Sequence, residues 1–200
     1  MGIKSKIFKK VSIRGRVAYG ICCLENAMKK YGIVGEGWNI LLKDLWSFTT
    51  IPAEMVPHKM GGVCFSLERW EEVLDLLPKF FIENDYDYSE ACEKWKSIKL
   101  TREEYESMTL AYKEKSNEVI EILCEKIYDI GAEELFAGFH DYSMDTLRIL
   151  QELLDVMYNN DILLPNPELF MQYEFAPQGI DIYSYGWGYT FDGKKLSKIL

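Results

Sequence analysis

The chain has 200 residues, a formal net charge of −9 and an apolar share of 48%. Its length fits one compact domain, and its apolar share excludes an intrinsically disordered protein. A chain of this size buries roughly 70% of its unfolded surface, so folding requires neither a metal nor a disulfide.

The cysteines and the hydropathy pattern indicate the compartment. The five cysteines are an odd number without CxxC spacing, which favours free thiols in a reducing environment. No apolar run approaches the roughly 18 residues of a membrane span. The basic N-terminus also lacks the apolar region that follows it in a signal peptide. We therefore expect a cytoplasmic protein that does not bind membranes.

Charge is unevenly distributed along the chain. Residues 1–16 carry +6 and no acid; their cations are Lys4, Lys6, Lys9, Lys10, Arg14 and Arg16. The other 184 residues therefore carry −15, because the whole chain carries −9. An acidic body repels phosphate backbones, which argues against nucleic acid as a partner, and it attracts a basic protein. We expect the basic segment to be a frayed start or an edge strand.

Apolar residues at helical spacing predict two helices after this segment. The first has its apolar stripe at Val17, Ile21, Leu24, Met28 and Tyr31. The second has its buried face at Trp38, Leu41, Leu42, Leu45 and Phe48. Residues 52–65 contain two prolines and a Gly-Gly pair, which predicts a connecting loop. Ser66 is an expected N-cap of the next helix, and a short helix is predicted around Cys92.

The clearest helix start is the capping box at Thr101–Glu104. A long helical pattern follows, and the polar residues 115–117 interrupt it, so the pattern represents either one helix or two. We expect Gly131 to form its C-cap. Ser143 is the predicted N-cap of a further helix, which the Asn159-Asn160 pair closes.

The hydrophobic period changes near the C-terminus. Aromatic residues at every second position of 183–191 favour a strand, and the Asp192-Gly193 pair predicts a hairpin turn. The expected fold class is mainly α: a single compact multi-helix domain with a small C-terminal β-hairpin or bent strand. Its parts are a basic leader (1–16), a helical body (17–160) and an aromatic loop or β appendage (161–200).

No residue pattern indicates catalysis or cofactor binding. The chain has two histidines, His58 and His140, and we expect both to be loop residues that bond to nearby backbone. Nucleophile-elbow, zinc-protease and phosphate-loop motifs are absent. We therefore predict no enzymatic activity, no catalytic residue, no cofactor and no metal ion.

The segment 83–90 alternates carboxylates with tyrosines, which together form an anionic surface suited to a cationic protein. The predicted partner contacts are Asp85, Tyr86, Asp87, Tyr88 and Glu90, with Trp187 as a second candidate. Two alternatives stay open. The acids belong to a solvated loop and the helix start that follows it, or Glu83, Asp85 and Asp87 bind a metal in a carboxylate enzyme. The aromatic run around Trp187 would alternatively cap the helical core.

Several segments resemble a known family. They are residues 16–27 (RVAYGICCLENA), 45–49 (LWSFT), 186–188 (GWG) and 191–193 (FDG). They are similar to the small immunity proteins of bacterial polymorphic-toxin and contact-dependent inhibition systems. The shared motifs are structural, so the resemblance assigns no functional residue, and it does not cover the segment 83–90. It implies an intracellular protein that binds a cognate toxin domain and blocks its active or substrate-binding surface.

The expected function is therefore that of a non-enzymatic, immunity-type protein whose partner is a basic toxin domain. The alternative is a structural or adaptor domain with a non-toxin partner, including one that self-associates. The oligomeric state and the activity of the toxin stay open at this point.

Overall fold

A computed structural model describes residues 3–51, 54–55, 63–64, 86–94, 100–133, 142–175 and 186–200, and this part of the chain is mainly helical. Its α-helices are α1 (Ile13–Tyr31), α2 (Glu36–Ser47), α3 (Tyr88–Lys94), α4 (Arg102–Glu114), α5 (Glu118–Ala132) and α6 (Met144–Asn159). Short 3-10 helices lie at Ser5–Lys10, Pro167–Phe170 and Gly193–Leu196. The predicted helical fold class is confirmed.

Helix α1 lies at the centre of the fold. It is buried on nearly all its faces and packs against α2, α5 and α6. The predicted apolar stripe belongs to a continuous core that extends from Phe8 near the N-terminus to Trp187 near the C-terminus. Each large apolar side chain buried there contributes about 1.5–3 kcal/mol relative to leaving it exposed.

The basic N-terminal segment is part of this core, so the prediction of a frayed start or an edge strand is wrong. Residues Ser5–Lys10 form a 3-10 helix that packs on α6, and Phe8 and Val11 are fully buried. A single antiparallel bridge between Val11 and Glu174 is the one strand-like contact of this segment among the described residues. Apolar burial at Phe8 and Val11 fixes the segment despite its charge.

Two arginines of the leader are buried and bind main-chain carbonyl groups. Arg16 is 0% exposed, and its guanidinium donates to the carbonyls of Phe8, Lys9, Tyr142 and Ser143 and to the Thr146 hydroxyl. Arg14 donates to the carbonyls of Phe48, at 2.6 Å, and Gly188, at 3.2 Å. Burial lowers the pKa of Arg14 to about 10. These two side chains connect α1 to segments far away in sequence.

Helices α2 and α4 approach each other closely at a glycine. A Cβ on Gly37 would overlap the carbonyl oxygen of Ser107 and would lie 2.7 Å from the Cβ of Ala111. One residue along, the rings of Trp38 and Tyr112 pack with their centroids 5.8 Å apart. Glycine at position 37 therefore sets the distance between the two helices.

N-capping residues determine where several of the helices begin. The Thr101 capping box forms at the start of α4, and Ser143 caps α6, as predicted. The polar residues 115–117 divide the long pattern into α4 and α5, because the Asn117 side chain accepts from Val119 N at 2.8 Å and caps a new helix. The predicted C-cap at Gly131 is wrong: this residue is buried within α5, which continues to Ala132.

The predicted C-terminal hairpin is not seen in residues 186–200, and residues 176–185 lie outside the described residues. Gly186 and Gly188 have φ angles of 82° and 77°, which suit a tight turn and not a strand. The expected hairpin turn at Asp192-Gly193 instead begins a 3-10 helix. A two-residue antiparallel pair, β1 (Glu54–Met55) and β2 (Val63–Cys64), lies in the predicted loop 52–65. The helix predicted from Ser66 lies outside the described residues.

The C-terminal residues are held against α1 and α2 by a buried carboxylate. Glu25 is 1% exposed and accepts three hydrogen bonds. The donors are Trp46 Nε1 at 3.0 Å, Ser197 Oγ at 2.5 Å and Lys198 N at 2.7 Å. A buried carboxylate is tolerable where donors satisfy its oxygens, and these three do so.

Candidate protein-binding site

Four of the six predicted contacts lie together at the start of α3, where α3 packs on α4. Tyr86 and Tyr88 are half-buried there, whereas Asp87 and Glu90 are exposed. Asp85 lies outside the described residues. The structure therefore brings carboxylates and phenol groups together at the start of α3, and these residues also have local structural roles.

Asp87 and Glu90 form a capping box. Asp87 Oδ1 accepts from the backbone N–H groups of Ser89, at 2.7 Å, and Glu90, at 2.9 Å. In return Glu90 Oε2 accepts from Asp87 N at 2.9 Å. The alternative in which acids of the segment 83–90 belong to the start of a helix is therefore correct for Asp87 and Glu90. Their positions are fixed by α3, and their exposed oxygens still face water.

The tyrosines form a small aromatic cluster between α3 and α4. The Tyr105 hydroxyl donates to the Tyr86 carbonyl at 2.8 Å, and the Tyr88 hydroxyl donates to the Leu100 carbonyl at 3.0 Å. The rings of Tyr88 and Tyr105 meet edge to face with centroids 5.6 Å apart. Together with Ala91 these rings make a second apolar cluster, separate from the main core.

A cation of α4 lies on this cluster. The guanidinium carbon of Arg102 is 5.2 Å from the centroid of the Tyr88 ring, within cation–π range. Its Nη1 lies 3.6 Å from a carboxylate oxygen of Glu106, and its Nη2 donates to Ser89 Oγ at 3.2 Å. The Arg102 and Glu106 side chains are 58% and 59% exposed, so their ion pair contributes little to stability.

Between the two helices is a surface pocket of about 310 Å³, which we call the α3–α4 pocket. Its aromatic walls come from Tyr86, Tyr88 and Tyr105. Its charged groups are two carboxylates and one ammonium, and the remaining lining comes from Thr109 and Leu110. Leu110 is 57% exposed, so the pocket has apolar, aromatic and anionic surface together.

The pKa of the Tyr105 phenol group indicates the sign of the electrostatic potential in this pocket. Its pKa rises to about 12, first because the residue is buried and next because the negative charge of Asp87 opposes its ionisation. Glu90 acts in the same direction. The pocket is therefore a region where an additional negative charge is disfavoured and a positive charge is favoured.

Trp187, the second predicted contact, is a core residue. Its side chain is 2% exposed, and its ring packs against Phe48 with centroids 6.2 Å apart. The adjacent Gly188 carbonyl accepts from Arg14. Trp187 is therefore not a surface anchor in this structure, and the alternative that this ring caps the helical core is the correct one. The neighbouring Tyr189 is 56% exposed.

Helix α5 carries an acidic stripe that was not predicted from the sequence. Acids recur every three or four residues along this helix and directly after it, so they share one face. They are Glu118, Glu121, Glu125, Asp129 and Glu133, and each is exposed or half-buried. Lys126 lies 3.5 Å from Asp129 and 3.0 Å from Glu152 of α6. The signal was present in the sequence as helical spacing of acids, which the apolar stripe of the same segment obscured.

Neither a group of metal ligands nor a helix fit to span a membrane is found among the described residues. These residues contain no group of three or more histidine, cysteine or acidic side chains placed to hold a metal ion. Two of the three acids proposed as alternative ligands, Glu83 and Asp85, lie outside the described residues, as do His58 and His140. No helix in the described ranges has the length and apolar character needed to cross a membrane.

No protein-family model matches this chain, and no curated protein or solved structure is significantly similar to it. The fold and the site therefore define a mainly α protein with an acidic helix face and an aromatic, anionic pocket. The relationship to immunity proteins stays a prediction from the segments quoted above.

Proposed function

We propose that this is a non-enzymatic, immunity-type protein that binds a basic toxin domain and blocks its active or substrate-binding surface. The supporting observation is the acidic stripe of α5. The proposal also draws on the sequence resemblance, which supplies the toxin as the class of partner. Within the proposal, the acidic surface guides the basic domain to this protein and fixes its orientation.

The stripe supports a binding role because its repeated like charges and its C-terminal acids work against the stability of α5. Like charges three or four residues apart on a helix destabilise it by about 0.2–0.5 kcal/mol per pair. Asp129 and Glu133 also lie at the C-terminal end of α5, where the helix dipole disfavours negative charge. Glu118 and Glu121 lie in the first turn of α5, where the dipole favours acids, so this second cost falls on the C-terminal part of the stripe. A partner that brings positive charge removes the repulsion along α5.

The first test pairs the protein with its expected partner. Where a modular secreted toxin is encoded directly upstream of this chain, that toxin is the protein to test. Its toxin domain, expressed alone, should arrest growth, and co-expression of this chain should restore growth and yield a stable complex. A symmetric assembly of this chain alone, with no binding to the toxin domain, would support the adaptor alternative instead.

A charge variant tests the surface itself. Glu118→Gln, Glu121→Gln and Glu125→Gln together remove three charges of the stripe and keep the side-chain shape. We expect this variant to bind the toxin domain about tenfold more slowly at low salt. The matched control removes three exposed acids elsewhere, with Glu36→Gln, Glu168→Gln and Glu174→Gln. Equal association rates for the two variants would exclude α5 as the contact.

A further inference from the structure

We propose that the α3–α4 pocket holds the guanidinium group of a single arginine side chain. This inference rests on the proposed function, because the arginine belongs to the bound toxin domain. It assigns one specific contact to the α3–α4 pocket, whereas the acidic stripe of α5 attracts the partner over a longer distance.

The size and the walls of the pocket suit one planar group. Its volume of about 310 Å³ is at the lower end of the range for ligand pockets, which fits one side chain and not an extended ligand. Three of its lining residues are tyrosines, and Tyr88 and Tyr105 are held in place by hydrogen bonds to main-chain carbonyls. Tyr105 is 4% exposed, so the half-buried rings of Tyr86 and Tyr88 offer the accessible aromatic faces on which a guanidinium stacks.

The charges around the pocket favour a cation. Asp87 and Glu106 line it together with the Lys113 ammonium, and the Arg102 guanidinium lies beside Glu106. Glu90 adds a further negative charge close enough to oppose ionisation of Tyr105. An anionic ligand would therefore meet two carboxylates, whereas a guanidinium can stack on a ring and bond to a carboxylate at the same time.

The protein already contains one guanidinium in this type of environment. Arg102 lies over the Tyr88 ring and beside the Glu106 carboxylate, at the distances given above. Its side chain is 58% exposed, so its position is one that solvent and a partner can reach. An incoming arginine would make the same two kinds of contact on the pocket side. The guanidinium also offers five donors in one plane, where a lysine ammonium offers three donors on a point charge.

The test uses a small probe and the full-length chain. N-acetyl-arginine amide is titrated into the isotope-labelled protein and followed by backbone amide chemical shifts. We expect saturable shifts at residues 86–91 and 105–113, with a dissociation constant of about 1–10 mM, as for a single small group. N-acetyl-citrulline amide has the same shape without the charge, and we expect no saturable shifts from it. Equal shifts from both probes, or shifts spread over the whole acidic surface, would overturn the proposal.

Two charge variants identify the residues that carry binding. Asp87→Asn keeps an equally good helix cap, and Glu106→Gln keeps the side-chain shape. We expect the two changes together to weaken arginine binding about tenfold. The control carries Glu103→Gln and Glu114→Gln, two exposed acids of the same helix that do not line the pocket, and should bind the probe as the wild type does. Equal weakening in both would show a general field effect and not a pocket.

The toxin complex separates this inference from the proposed function. If the pocket variant still binds and neutralises the toxin domain as the wild type does, the arginine assignment is wrong and the immunity function stands. If the probe binds in the pocket but no toxin domain is neutralised, the pocket assignment stands and the immunity function is wrong. An arginine of the toxin domain whose replacement abolishes binding to this pocket would support both proposals.

Discussion

Arg16 should be one of the most important single residues for the stability of this fold. Of its five acceptors, the Phe8 and Ser143 carbonyls and the Thr146 hydroxyl are buried. Arg16→Met removes the guanidinium bonds to these three groups, although each keeps a second partner: Val11 N for the Phe8 carbonyl, Leu147 N for the Ser143 carbonyl and Ser143 Oγ for the Thr146 hydroxyl. The loss is therefore the net contribution of each charged bond, about 1–1.5 kcal/mol. We therefore expect a loss of about 3–4 kcal/mol from the free energy of unfolding. This loss is a large part of the free energy of unfolding of a typical domain, which is roughly 5–15 kcal/mol.

The assay is urea denaturation followed by circular dichroism, with the slope m compared between variants to verify two-state behaviour. Arg148→Met is the matched control, because Arg148 is 59% exposed and contacts only Asp145 and Glu152 among the described residues. We expect its effect to be within about 0.5 kcal/mol of zero. Arg16→Lys should lie between the two, since an ammonium has three donors where a guanidinium has five. A loss below about 1.5 kcal/mol in Arg16→Met would refute the reasoning.

Three further predictions concern buried groups. Burial raises the pKa of Cys22 and of Cys124 to about 12. The folded protein therefore keeps protons that the unfolded chain loses above about pH 9. As a result, the free energy of unfolding should fall by about 1 kcal/mol per thiol between pH 9 and 10. Urea denaturation at both pH values tests this, and the Cys22→Ala, Cys124→Ala variant should show a smaller fall; an equal fall in both proteins would contradict it. Gly37→Ala should destabilise the α2–α4 contact by about 1–3 kcal/mol, whereas Lys43→Ala, at an exposed position of α2, should be nearly neutral in the same assay. Glu25→Gln turns an amide N–H₂ toward donors and should speed hydrogen exchange at the Lys198 amide; unchanged exchange there would argue against the anchoring role of Glu25.

The helices of this protein could be predicted from local sequence. The predictions that were wrong concern residues whose contacts are distant in sequence. The apolar spacing around Leu24 and the capping box at Thr101 report on residues within one or two turns, and both predictions are confirmed. The burial of Arg14 is different, because its acceptor at Gly188 lies 174 residues away. Charge alone suggested an exposed leader, and no spacing rule identifies a main-chain carbonyl as the partner of an arginine.

The C-terminal segment shows the same limit. Alternating aromatics favour a strand, but in this structure the Trp187 ring contacts Phe48 and the flanking glycines adopt positive φ angles. At the candidate site, the Asp87–Glu90 capping box was visible as a spacing of three residues. The pocket beside it was not, because Tyr105 and Glu106 come from another helix.

We propose that this protein acts by electrostatically guided binding to a basic toxin domain. The most direct measurement is the association rate constant of the two proteins, followed by stopped-flow fluorescence across a range of salt concentrations. We expect a rate constant that falls at least tenfold between about 20 and 500 mM salt, with a shallower dependence when Glu118, Glu121 and Glu125 are changed to glutamine. A rate that is independent of salt, or equally dependent in both proteins, would contradict the claim.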